Sequence, residues 1–377
     1  MSEEDPNTIG RYDPGAMPEA RSFSELPPLS LYVHIPWCIA KCPYCDFNSH
    51  KAPEGQLPEA DYIDALLHDL ETEVPEIWGR QICSVFIGGG TPSLFSADAI
   101  DRLLSGIRAL LALSPDIEIT MEANPGTFEQ QRFADFHAAG INRLSLGIQS
   151  FNDKHLKALG RIHGSDESLR AAEQARAAGF SNFNLDLMYG LPGQTIDEAL
   201  QDLQQAMSVD PRHLSLYQLT LEPNTLFFKY PPQLPDHDTL HDMQQAIADR
   251  LSTNGYRRYE ISAWAKAGNE SQHNTNYWQF GDYIGIGAGA HGKISRADTG
   301  RITRRVKHKH PERFLATAGT PDCVLEQHDI PVADTGLEFM MNALRLVDGF
   351  NPVLFKAHTG IDLQPWSHAL VDAGSQV

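Results

Sequence analysis

The stretch Tyr32–Phe47 reads YVHIPWCIAKCPYCDF, a β-like apolar run followed at once by cysteines spaced C-x3-C-x2-C. The chain has 377 residues and five cysteines, and three of them, Cys38, Cys42 and Cys45, fall within eight positions. So few and so unevenly placed cysteines do not make a secreted disulfide framework. In a reducing compartment, clustered thiols bind metal or perform redox chemistry. Three thiolates on one loop can converge on one face of a cuboidal iron–sulfur cluster, and three protein ligands leave one of four irons open. A structural zinc site needs a fourth ligand to close its tetrahedron. His34 and His50 are near enough in sequence to keep zinc as the alternative. Cys83, inside the apolar run ICSVFIGG, reads as a buried structural thiol; Cys323 carries no assignment.

Working outward, the chain alternates between two periods from Leu31 to about Thr220. The β-rich runs are Leu31–Ile35, Ser84–Ile87, Ile117–Glu122, Arg143–Ile148, Phe183–Leu187 and His213–Leu219. Between them apolar residues recur at helical steps, as in Tyr62, Leu66, Leu70, Val74, Ile77 and in Ile100, Leu103, Leu104, Ile107, Leu111. Gly140 and Gly179 stand where helices need a C-terminal cap. Repeated strand–helix alternation predicts an α/β fold with parallel strands and helices outside, curled by its handedness into a partial (β/α)6 barrel. The polar features fall at the ends of these runs: the cysteines after the first, Gly88–Thr91 after the second, then Glu122, Gln149, Asp186, Gln218 and Thr220. In a parallel barrel the strand carboxyl ends share one rim, where active sites are built. Residues 28–255 are expected to form this barrel. Residues 256–377 are expected to form a smaller α+β domain, and residues 1–27 a flexible acidic extension.

The net charge is −19, which argues against broad nucleic-acid binding, since no global excess of cations exists to displace phosphate counterions. The first 27 residues carry no apolar run and resemble neither a signal nor a transit peptide. No run of about 18 apolar residues predicts a membrane span. A cytoplasmic location is the simplest reading. The stretch LQPWSHALVDAG near the end reads as a helix and its cap, which suggests that the C-terminal domain is truncated.

The strings SLYVHIPWCIAKCPYCDFNSH, FIGGGTPSL, ITMEANPGT, RLSLGIQSF, LGRIHG, NLDLMYGLPGQT, LYQLTLEPNT and HNTNYW carry a resemblance that extends over Leu29–Leu346. The cysteine spacing after the first strand and the glycines after the second resemble the radical S-adenosylmethionine (SAM) superfamily. More narrowly the chain resembles the oxygen-independent coproporphyrinogen III oxidase branch, and within it the HemW-type heme chaperones. The resemblance implies a four-iron four-sulfur cluster on Cys38, Cys42 and Cys45, with SAM on its open iron. It places Tyr32 and Tyr44 beside cluster and SAM, Gly89, Gly90 and Thr91 at the methionyl group, and Glu122 on the ribose. Gln149, Arg161, Asp186 and Thr220 match further positions of the SAM region. Arg161 reads alternatively as a surface cation, and Asp186 as a cap for the turn at Gly190.

Two features separate the branch's members. The oxidase carries a fourth Cys two positions after the third, where this chain has Phe47. The string His273–Trp278 resembles the chaperones' heme-binding motif, which implies His273 as an iron ligand. His291, in the glycine run GIGAGAHG, is the rival ligand, and a packed loop histidine is the plain alternative. That glycine run lacks the strand–turn–helix setting of a dinucleotide site. The basic run Arg304–His310 suits heme propionates, an acidic partner or anionic lipid, or simply an exposed strand. The resemblance further implies client hemoproteins such as respiratory cytochromes as partners, with homodimerisation and peripheral membrane contact as additional expectations. An oxidase and an RNA-modifying radical enzyme are the competing functions.

Overall fold

The computed structural model describes residues 20–126 and 129–363. The proposed terminal helix after Leu363, and with it the expectation of a truncated domain, lies outside the described residues, as does most of the N-terminal extension.

The first strand, β1 (Leu29–Ile35), is buried along nearly its whole length, as a strand covered on both faces must be. Helix α1 (Glu59–Glu73) leads to β2 (Gln81–Gly89), α2 (Ala97–Leu110) to β3 (Ala112–Ala123), and α3 (Glu129–Ala139) to β4 (Arg143–Gln149). Two helices, α4 (Asp153–Ala158) and α5 (Ser165–Ala177), precede β5 (Asn182–Tyr189), and α6 (Ile196–Ser208) precedes β6 (His213–Gln218). All five successive pairings from β1 to β6 are parallel. The helices form where the periodicity predicts them. In α2, Ile100, Leu103, Leu104 and Ile107 are buried, and Ser96 caps the start by accepting from Ala99 N. In α6, Thr195 and Glu198 make a reciprocal capping box. Gly140 and Gly179 sit at φ +112° and +97° beyond their helices, a backbone that residues with a Cβ rarely adopt.

The sheet continues on both sides of this unit. A short turn α7 (Leu226–Lys229) and the helix α8 (His237–Thr253) lead to β7 (Arg257–Glu260) and β8 (Ala263–Ala265). The single strand expected over Tyr259–Trp264 is thus a pair of short antiparallel strands with an irregular register, and β8 extends the sheet beyond β6. After helix α9 (Gln272–Trp278), strand β9 (Asp282–Ile286) returns to the opposite side and pairs in parallel with β1. Strands β10 (His291–Ser295), β11 (Ile302–Lys307) and β12 (Val324–Asp329) follow in antiparallel order. The result is one open 12-stranded sheet in the order β12-β11-β10-β9-β1-β2-β3-β4-β5-β6-β8-β7. It runs without a break across the boundary expected at residue 255. Helices α10 (Pro311–Thr317), α11 (Thr335–Ala343) and α12 (Pro352–Thr359) complete the described chain.

Within residues 21–27, part of the extension expected to be flexible, Arg21 and Pro27 are buried. The buried Arg21 donates to Thr335 Oγ1 (3.0 Å) and to the carbonyl of Ile330, and Pro27 O accepts from Arg80. A guanidinium buried with its hydrogen bonds satisfied ties that segment to α11 and β12.

Candidate active site and adjoining aromatic cavity

The cysteine loop begins as β1 ends. Trp37–Cys38 pairs in parallel with His50–Lys51, which closes Cys42 and Cys45 into the intervening loop. The glycines after β2 dock on this unit: Gly90 N donates to Ile35 O (2.7 Å) and Thr91 N to Trp37 O (2.8 Å). A Cβ on Gly89 would lie 2.5 Å from the His34 ring, and one on Gly90 2.5 Å from Trp37 O. The glycine run is therefore required by the close approach of β2 to the cysteine segment, and not only by a ligand.

Cys38, Cys42 and Cys45 line one cavity of about 360 Å³. The same cavity is bordered by Tyr44, Gly89, Gly90, Thr91, Glu122, Gln149, Arg161, Asp186 and Thr220. The fold thus gathers, from six separate strand ends, residues spread from Cys38 to Thr220. Thr91 Oγ1 donates to Cys38 Sγ (3.6 Å) and Arg161 to Cys42 Sγ (3.7 Å). Among the described residues, no three His, Cys, Asp or Glu side chains converge as one metal ion needs. Three thiols that line one cavity can each bind a separate iron of a cluster.

Arg161 is not a loose surface cation. Its Nη2 donates to Asn124 Oδ1 (2.7 Å) and Gly147 O (2.6 Å). Asp186 does not cap the turn at Gly190; it accepts from Ser145 Oγ (2.9 Å) and Asn184 Nδ2 (2.8 Å). Burial raises its pKa above the usual carboxylate value. Burial, with Asp186 adding to it, pushes Glu122 up to about 7, although Gly89 N–H donates to its Oε2 (2.9 Å). Gln149 sits at φ +70°, an uncommon backbone for a residue with a side chain. Thr220 is exposed and donates to Glu222. The carboxylates and the guanidinium suit a ligand bearing hydroxyl, ammonium and carboxylate groups. The cavity therefore fits SAM beside a cluster. Sequence reasoning missed Asn124, which joins Thr91 (2.8 Å) to Arg161, and Ser145 and Tyr217, which also line the cavity.

Tyr32 and His273 lie elsewhere. They line a second cavity of about 630 Å³, which shares Asp46, Phe47, Ser49, Gly89 and Glu122 with the first. The HNTNYW segment is helical: it belongs to α9, whose start Ser271 caps by accepting from Asn274 N. Glu118 of β3 accepts from the backbone N–H groups of Gln272 (3.2 Å) and His273 (3.3 Å), a favourable place for a carboxylate. His273 is 1% exposed. Its ring stacks on Phe86 (centroids 5.0 Å apart) and meets Tyr277 edge-on (4.8 Å). Nδ1 bonds to Ser84 Oγ (3.0 Å), whereas the buried Nε2 has no partner. Burial, reinforced by Arg143, takes its pKa down to about 3, so the ring is neutral at pH 7. His291 borders the same cavity. The Phe47 side chain, 61% exposed, stands at the divide between the two cavities. Cys83 is only half-buried and Cys323 is fully buried.

A family model described as the Radical SAM superfamily matches residues 32–206. The heme chaperone HemW of Escherichia coli (strain K12) is 54% identical over 337 residues, which covers 89% of this chain and 88% of that protein. The heme chaperone HemW of Haemophilus influenzae is 51% identical over 341 residues, with coverage of 89% and 88%. Among solved structures, coproporphyrinogen III oxidase (HemN) from Escherichia coli, a radical SAM enzyme, superimposes with a TM-score of 0.76. It is 24% identical, and the match covers 90% of this chain and 81% of that one, a likeness of fold. Identity above one half, sustained over nearly nine-tenths of both chains, places this protein in the HemW family of the radical SAM superfamily.

Proposed function

We propose that this protein is a heme chaperone, which binds heme in the aromatic cavity and delivers it to client hemoproteins. The observation that carries the reading is the orphaned Nε2 of His273, a neutral imidazole set among Phe86, Tyr277 and Tyr32 in a cavity of about 630 Å³. A buried polar atom without a partner is rare and needs an explanation. A neutral imidazole is an iron ligand, and aromatic walls suit a porphyrin face. Because Nε2 is buried, iron reaches it only when the surrounding rings shift.

The neighbouring cavity holds the cluster on Cys38, Cys42 and Cys45, with SAM against Gly89–Thr91, Glu122, Gln149, Arg161 and Asp186. Such a cluster, when reduced, supplies the electron that cleaves bound SAM. This chain's residues orient the ligand and, through Arg161 and Thr91, set the polarity around two of the cysteines. Respiratory cytochromes are the clients expected, in the cytoplasm, with homodimerisation and peripheral membrane contact as further parts of the reading. Among the described residues, no helix is long and apolar enough to cross a membrane.

Anaerobically reconstituted protein tests the assignment. Wild type binds heme, His273→Ala loses that binding, and neither turns over coproporphyrinogen. Turnover by the wild type would return the chain to the oxidase reading, which shares the fold. Cys38→Ala lowers bound iron and the cluster absorbance; unchanged iron content sinks the cluster assignment.

A further inference from the structure

The basic run Arg304–His310 is largely neutralised by the fold. Arg304 pairs with Glu338, Arg305 with Glu73 (2.8 Å) and Glu76 (3.5 Å), and the buried Lys307 with Asp69 (2.6 Å) and Glu73 (2.8 Å). These cations stitch β11 to α1 and α11 and leave nothing for a ligand. Lys309 differs. It is exposed, enters no ion pair among the described residues, and borders the His273 cavity. Its carbonyl accepts from Asn48 Nδ2 (2.9 Å) and His50 Nε2 (3.2 Å), which fixes it beside the segment following Cys45. Lys41 lies on the same edge: also exposed and outside any ion pair among the described residues, it donates to the carbonyls of Phe47 and Ser49 (3.3 Å each).

From this edge a hydrogen-bonded wall runs inward. Asn48 O meets His34 Nε2 (2.8 Å), His34 Nδ1 meets Tyr32 OH (2.9 Å), and the Tyr32 ring lies 6.4 Å from that of His273. The cavity therefore has an aromatic interior, and Lys41 and Lys309 border it together with Asp46 and Glu122. His50 and His291 also border it, and burial lowers the pKa of each. A flat apolar macrocycle with both carboxylates on one side has the matching polarity.

Resting on the heme reading, we propose that Lys309 and Lys41 form a carboxylate subsite that receives the two propionates of heme. The opposite edge of the porphyrin then enters first, and the propionates stay at the mouth. The cavity selects porphyrins whose carboxylates are free. Soret titrations with hemin and with its dimethyl ester test this. Wild type is expected to bind hemin about tenfold more tightly than the ester, from two partly exposed charge pairs. A Lys41→Gln/Lys309→Gln double variant weakens hemin about tenfold, leaves the ester unchanged and keeps the Soret maximum of the bound form. Because Lys41 adjoins Cys42, Lys309→Gln alone must weaken hemin about threefold with iron content unchanged. A double variant that keeps the wild-type preference, or a wild type that does not discriminate, overturns the subsite while His273 stands. A wild type that binds neither porphyrin defeats the heme reading and the subsite with it.

Discussion

Replacing His273 by Phe separates the imidazole's chemistry from its packing. Ala would leave a void between Phe86 and Tyr277, whereas Phe keeps both ring contacts. The one side-chain hydrogen bond lost is Nδ1 to Ser84, worth about 1 kcal/mol, and Ser84 Oγ keeps Ser30 Oγ at 2.8 Å. The unpartnered Nε2 disappears with no bond to lose. The larger effect is on pH dependence. The folded imidazole titrates near 3 because burial disfavours its charged form, against about 6.5 in an unfolded chain. Above 6.5 both states are neutral and the residue has no influence. As pH falls below 6.5 the unfolded chain takes up a proton that the folded chain refuses, so stability declines until about pH 3. Between pH 7.0 and 5.5 this amounts to about 1.3 kcal/mol for one histidine. His34 and His163, which burial lowers to about 4, contribute similarly in both proteins and cancel in the comparison. Urea unfolding at the two pH values should therefore show wild type losing about 1.3 kcal/mol more than His273→Phe. Soret titration of the same variant should show heme affinity lost. An equal pH response would refute the argument, because it would mean the imidazole is solvated or already paired.

Two further substitutions probe other parts of the fold. Asp282 is a fully buried carboxylate held by Arg80 (2.8 Å), Lys293 (2.9 Å) and both Ser295 N and Oγ (2.9 Å each). Asp282→Asn leaves two cations without their counter-charge and should cost about 3–5 kcal/mol in chemical denaturation; a loss under about 1 kcal/mol would show that water or another group replaces it. Arg161→Met removes charged hydrogen bonds to Asn124 and Gly147 and should raise the SAM dissociation constant about tenfold or more. Unaltered SAM binding in calorimetry would return Arg161 to a structural role.

What was legible in the sequence follows from what is local. The six strand–helix units could be read because burial imposes period 2 or 3.6 on each segment separately, and the rim follows from their repetition. Helix α9 could not be read so. Seven residues containing His, Asn and Thr have weak helical preference, and the carboxylate that serves its first N–H groups, Glu118, is 154 positions away from Gln272. The continuation of the sheet was hidden for the same reason, since Asp282–Ile286 finds β1 only through long-range pairing. Tyr32 lines the second cavity for a reason that parity explains. It stands two residues from His34 and Ser30, so all three share one face of β1, and register sets Ser30 beside Ser84 and Tyr32 beside Phe86. That face meets His273.

The same parity holds across the sheet and yields the residues that motifs missed. Glu118, Thr120 and Glu122 alternate along β3, Ser145, Gly147 and Gln149 along β4, Asn184 and Asp186 along β5, and His213, Ser215 and Tyr217 along β6. Glu122 pairs with Ser145, Ser145 with Asn184, and Asp186 with Ser215 in register. Side chains of one parity therefore converge inside the curved sheet, and polar ones there must bond to one another. They do: His213 bonds Asn184 (2.7 Å) and Tyr259 (2.8 Å), and Tyr259 OH accepts from Ser271 N (3.3 Å), the residue that caps α9. A polar interior layer thus connects the floor of the cysteine-lined cavity to the helix that carries His273. Counting by twos back from Gln149 and Asp186 would have found Ser145 and Asn184 from the sequence alone. It would not have found the bond to α9, which exists only because β8 and β9, the strands that flank α9, join opposite sides of the same sheet.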